Sequence, residues 1–156
     1  MSANTTNRET VRDAFAALLE TSLVGTGLPV QAVYNYPIGK IEETPLVYVA
    51  SSGTARQRAG IGDARWNSYF VFEVATFVRD ADAANGWTEQ EVEDQMDLID
   101  KAIADCIADH RINANWNNIS FSIDNEGIPE ASEIYTDVER GYRFELRKVY
   151  IQKVDA

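Results

Sequence analysis

The residues best equipped for chemistry in this chain are one histidine, one cysteine, a dense run of carboxylates and a small group of arginines. His110 stands beside Arg111 at the end of a helical pattern, where positive charge complements the helix dipole. No Ser or Cys accompanies it in a nucleophile–base signature, so its expected role is structural. Cys106 falls on the apolar stripe of the same helix. A thiol there packs as a small hydrophobe, and burial raises its pKa, which works against the thiolate that nucleophilic chemistry needs. Glu89, Glu91, Glu93, Asp94, Asp97, Asp100, Asp105 and Asp109 share that segment with Lys101 as the sole base. Glu93, Asp97 and Asp100 lie along one shoulder, a geometry open to a hard cation, yet such an ion needs further oxygen ligands. Paired-carboxylate catalysis would also need a pocket that raises one pKa. A solvated acidic face is the simpler expectation.

Two motif-like stretches fall short of their chemistry. Asp80, Asp82, Asn85 and Glu91 are spaced somewhat like a calcium loop, but Ala84 occupies the fifth position and Gly86 comes one residue late. A strand pattern also precedes the stretch where that motif has a helix. Gly60-Ile61-Gly62 lacks the lysine and the following helix of a phosphate-binding loop. No cofactor, metal site or catalytic residue is therefore expected. Arg56, Arg58 and Arg65 form the one dense basic group, within the glycine-bearing stretch 51–65. Read as a long flexible loop, that stretch is of a length usually kept for function. It could dock on an acidic partner and order as it binds. A second copy of this chain offers such a surface in its acidic helix. The candidate contacts are Arg56, Arg58 and Arg65 on one side, and Leu98 with Glu93, Asp97 and Asp100 on the other. Leu98 belongs to them because it lies off the buried stripe.

The elements that carry these residues follow from periodicity. A first helix is expected over 7–23, capped by Thr6 with Glu9 completing a capping box, its face formed by Val11, Phe15, Leu18 and Leu19. Gly25, Gly27 and Pro29 stop it. Alternation over 30–36 and the apolar run 45–50 predict two strands, the second central. Trp66 to Arg79 is the strongest strand signal, with Phe70, Phe72, Val74, Thr76 and Val78 opposite Tyr69, Val71, Glu73, Ala75 and Phe77. A turn over 80–86 leads to a second helix over 89–109. Thr88 caps it, Trp87 and Val92 staple it, and Val92, Met96, Ile99, Ile103, Cys106 and Ile107 form its buried stripe. Strands are then expected over 119–123, 134–138 and 142–153. In the last, Tyr142, Phe144 and Leu146 alternate with Arg143, Glu145 and Arg147, the charged half being expected to face water. The fold class is α+β: a mostly antiparallel twisted sheet of five or six strands covered by two main helices.

Composition bounds the function. The 156 residues suggest one domain over 1–156, with a flexible N-terminus over 1–6. A net charge of −11, from 25 acids and 14 bases, argues against wrapping nucleic acid or adhering to anionic lipid. The single cysteine cannot form an internal bridge, and no secretory signal or membrane span is apparent, so synthesis in a cytoplasm is expected.

The succession of elements resembles the tail terminator proteins of long-tailed phages, also called tail completion or tail-to-head joining proteins. The resemblance runs from about 8 to 153. It is carried by the capped helix with Val11, Phe15, Leu18 and Leu19, then Val33-Tyr34-Asn35-Tyr36 and Pro45-Leu46-Val47-Tyr48-Val49. A long loop follows, then the strand ending Phe70-Val71-Phe72-Glu73-Val74, the acidic helix, Trp116-Asn117-Asn118-Ile119, and Tyr142-Arg143-Phe144-Glu145-Leu146. It implies a non-enzymatic virion protein: a hexameric ring at the head-proximal end of the tail, contacting the tail tube protein and the head–tail connector. DNA would pass through the lumen without specific binding, and acidic walls suit that passage because they repel phosphate. A neck or tail-tube component is the alternative within the virion. A small carboxylate-bearing enzyme or ligand-binding domain is the alternative outside it.

Overall fold

The computed structural model describes residues 5–41, 43–58, 65–79, 88–112, 114–116, 119–123 and 131–155, with the backbone alone for 154 and 155. The turn expected over 80–86, the staple residue Trp87 and the Gly60-Ile61-Gly62 motif lie outside these residues.

Helix α1 spans Arg8–Leu23, and its cap is Asn7 rather than Thr6: the Asn7 side chain accepts the Glu9 N–H at 2.8 Å. Both are capping residue types, so the one-residue shift costs the helix nothing. The predicted face is fully buried, Val11, Phe15, Leu18 and Leu19 being at most 1% exposed. The Val24 N–H closes the last turn on the Glu20 carbonyl, and Gly27, at φ 79°, takes a left-handed conformation that glycine adopts without cost. Helix α2 spans Glu89–Asp109. Thr88 caps it, its hydroxyl accepting the Glu91 N–H, and all six residues of the predicted stripe are buried.

Among the described residues seven strands form one sheet: β1 Ala32–Tyr34, β2 Leu46–Arg58, β3 Trp66–Arg79, β4 Ala114–Trp116, β5 Ile119–Ile123, β6 Ser132–Asp137 and β7 Tyr142–Asp155. Their order is β1-β2-β3-β7-β5-β4, with β6 also on β7. The sheet is mixed, since β1 runs parallel to β2 while the other pairs are antiparallel. It is also curled into a half-barrel, departing from the plain twisted sheet expected. Helix α1 touches β1 and β2 near one end of the strand order and β4 and β5 at the other, so the sheet wraps around it.

The concave face holds the main core. Phe15 of α1 stacks on Phe72 with ring centroids 6.3 Å apart, and Phe72 on Phe70 at 6.2 Å. Val47, Val49, Val74, Val149 and Ile151 complete the strand side of that core, and Met96, Ile99 and Ile103 cover it from α2. On the opposite face Leu46, Ala75, Phe77 and Tyr142 form a smaller cluster with Tyr48, Phe144 and Leu146. Register places Leu46, Phe77, Phe144 and Tyr135 in one row across β2, β3, β7 and β6. The three aromatic rings stack along it, Phe77 on Phe144 at 5.2 Å and Tyr135 on Phe144 at 5.3 Å, which helps pin the register of β3, β7 and β6.

Two further expectations are overturned. Residues 51–58 of the expected 51–65 loop are strand, because β2 continues to Arg58, each residue from Gly53 to Arg58 paired with β3 as far as Arg58 opposite Trp66; 59–64 lie outside the described residues. Thirteen residues of β2 match the fourteen of β3, with a bulge between Ser51 and Gly53 absorbing a register shift. The charged half of β7 does not face water either. Glu145 is 4% exposed and the Arg147 side chain 10%, both turned towards α2, because that helix carries the carboxylates that pair with the arginines.

Candidate assembly interface

The sequence-predicted contact residues fall into two groups on the concave side, at opposite sides of the sheet. Arg56 and Arg58 stand on the open side of β2, two residues apart and so on the same face. The Arg56 guanidinium lies 5.6 Å from the Phe70 ring centroid and donates to the Thr6 carbonyl at 3.2 Å. Arg58 lies 5.9 Å from the Trp66 ring centroid. These ring contacts hold the arginine stems while leaving both residues exposed. Thr6, expected to be flexible, is tied to β2 through Arg56. Arg65 is exposed just before β3.

Sequence reasoning missed two members of this basic end. Arg8 and Arg12, one turn apart on α1, reach β2 through Thr54 at 3.1 Å and Ser51 at 2.9 Å. With Arg56 they border a hollow of about 600 Å³ whose one carboxylate among the bordering residues is Glu9. The signal was the spacing of Arg8 and Arg12 on the polar side of α1, but what they face is set by the continued β2.

The second group lies on α2, above β7. Glu93 pairs with Arg143 at 3.0 Å and Asp100 with Arg147 at 2.6 Å. Arg147 also reaches Glu145 at 3.3 Å, and the Ser132 hydroxyl donates to Glu145. Two of the three shoulder acids thus dock α2 on its own sheet. Asp97, between the two pairs in helical spacing, is exposed, and Leu98 is 54% exposed. Arg143 and Arg147 were legible as charged positions but not as partners of α2, since pairing across 50 and 47 residues depends on the fold.

The remaining candidates have local roles. Burial pushes the Cys106 thiol up, and the Ser22 hydroxyl, donating to its sulfur at 3.2 Å, offsets only part of that rise. His110 occupies the C-cap of α2, its Nδ1 lying 2.9 Å from the Cys106 carbonyl, one of the orphan acceptors of the last turn. Among the described residues no three His, Cys, Asp or Glu side chains converge as metal ligands. None of the helices among them is long and apolar enough to cross a membrane.

No protein-family model matches the chain, and no curated protein does. A solved structure 14% identical in sequence, matched over 97% of this chain and 98% of its own, gives a TM-score of 0.46. That likeness carries no functional argument.

Proposed function

We propose that the chain is a non-enzymatic assembly protein that joins copies of itself into a ring, and that this ring is a virion component at the head-proximal end of a phage tail. The observation that carries the assembly reading is the separation of charge. The arginines stand on β2 and the acidic shoulder of α2 is docked on β7 of the same sheet, with β3 between the two strands. They are held apart within one chain and can meet only between chains. Association of unlike surfaces is heterologous, and a heterologous contact closes into a ring when its rotation is a whole fraction of a turn. The tail terminator role comes from the sequence resemblance. An acidic chain suits a conduit for DNA, because negative walls do not retain a passing duplex.

In this reading Arg56 and Arg58 are the docking cations, Asp97 is their main target, and Leu98 supplies apolar contact beside it. Glu93 and Asp100 are partly neutralised by Arg143 and Arg147 and contribute less. The test is a charge exchange. Arg56→Glu with Arg58→Glu should leave a folded monomer by light scattering, and adding Asp97→Lys should restore part of the association. A wild-type chain that stays monomeric at every accessible concentration contradicts the reading.

A further inference from the structure

We infer that the sheet itself continues from copy to copy, the open edge of β2 in one chain pairing antiparallel with the open edge of β6 in its neighbour. The inference rests on the ring reading above and supplies its seam. Beyond Tyr48, β2 has β3 on one side and, among the described residues, no strand on the other. Among the described residues strand β6 likewise pairs only with β7. Each edge offers a row of backbone donors and acceptors, which an added strand satisfies. Both edges are long enough to pair, since β6 has six residues and β2 extends ten residues past β1.

Direction and face agree with this pairing. From β2 through β3 and β7 to β6 each neighbour is antiparallel, so β2 and β6 run in opposite directions. A neighbour turned about a ring axis, without being flipped, therefore brings its β2 antiparallel to β6. The same operation keeps the concave faces aligned. Arg56 and Arg58 of the incoming β2 then lie on the side where Glu93, Asp97 and Asp100 overhang β7 and β6. Register adds a stagger: β6 is level with Leu46 to Val49, whereas the open part of β2, from Val49 to Arg58, is level with Arg147 to Asp155 and overlaps β6 at one position only. A constant stagger between joined strands is the shear that tilts strands in a closed sheet.

The self-pairings are disfavoured by charge. Joining β2 to β2 sets Arg56 and Arg58 against their own copies, and joining β6 to β6 brings two sets of Glu133 and Asp137 together. The bulge and the arginines of β2, devices that usually keep an edge from indiscriminate pairing, here narrow the choice to an acidic partner.

Hydrogen exchange on the assembled wild type and on the charge-reversed monomer tests the seam. Amides over 50–58 and 132–137 should exchange at least about tenfold more slowly in the assembly, because strand pairing replaces solvent on an open edge. A proline pair adds a second reading. Neighbouring residues point their N–H groups to opposite sides of a strand, so of Thr54→Pro and Ala55→Pro one removes a bond to β3 and the other an outward donor. The variant that melts like wild type should associate at least about tenfold more weakly. If both prolines lower the melting temperature, the exchange comparison decides. Unchanged exchange in a confirmed oligomer overturns the seam and leaves the ring standing. A wild type that never associates overturns the ring reading itself.

Discussion

Along the β2 side, Arg8, Arg12 and Arg56 gather around the start of α1 with Arg58 further along the strand, their contacts being hydroxyls, one carbonyl and two aromatic rings. On the β6 side the charges interlock: Glu93 with Arg143, Asp100 with Arg147, and a buried Glu145 between Arg147 and Ser132. The first arrangement keeps cations at the surface with little invested in the fold. The second uses charge to dock a helix on a sheet. The difference teaches that charges of similar density can serve two ends. A residue whose charge meets an opposite charge in its own chain supports stability, and one whose contacts there are neutral keeps its charge open to a second molecule.

Mutations should separate the two sides by what they damage. The largest effect is expected at Arg147, whose removal leaves Glu145 buried beside no cation; Arg147→Ala should lower the urea-unfolding free energy by about 3 kcal/mol, as when one partner of a buried pair is lost. The paired reversal Arg56→Glu and Arg58→Glu should change that free energy by less than about 0.5 kcal/mol, as for other surface substitutions. It should nonetheless weaken association at least about tenfold, or 1.4 kcal/mol. Added salt should weaken wild-type association in the same direction, because exposed charges are screened within a Debye length of about 10 Å at 0.1 M. Equal losses of stability at both sites would erase the distinction. At the start of α1, Asn7→Ala should cost about 1 kcal/mol of stability and Thr6→Ala much less, read from paired thermal melts. The smallest effect belongs to the turn after β6, where the Arg140 guanidinium and backbone hold Asp137 below the usual aspartate range. A lowered folded pKa contributes stability at neutral pH that fades as acid protonates the carboxylate. Asp137→Asn should therefore flatten the acid limb of the melting profile slightly, and an unchanged limb would remove that contribution.

How much of this was legible in the sequence depended on whether local pattern or distant pairing decides the structure. The buried stripe of α2 and the two faces of β3 were readable because six residues at helical spacing, and fourteen in alternation, leave one solution. The continuation of β2 was not, since Ser51-Ser52-Gly53-Thr54-Ala55-Arg56-Gln57-Arg58 has no apolar alternation; β3 is the template that makes it a strand. A fourteen-residue β3 beside an expected strand of six was the one available hint. The orientation of β7 was misread for a related reason. Alternating Arg and Glu looks solvent-facing until a helix bearing Glu93 and Asp100 covers it. The parallel pairing of β1 and the three residues of β4 left no local signal. As for the candidate contacts, their identities were visible, but which acids are already engaged within the chain was not.

The most direct measurement is the mass of the particle in solution, by light scattering or native mass spectrometry, for wild type, the Arg56→Glu/Arg58→Glu variant and the same variant with Asp97→Lys. The account predicts a closed oligomer for wild type, with six times the 17.4 kDa chain mass as the ring implied by the resemblance. It predicts a folded monomer for the reversal and partial recovery for the exchange. A wild-type monomer, or a reversed variant that assembles as wild type does, would contradict it.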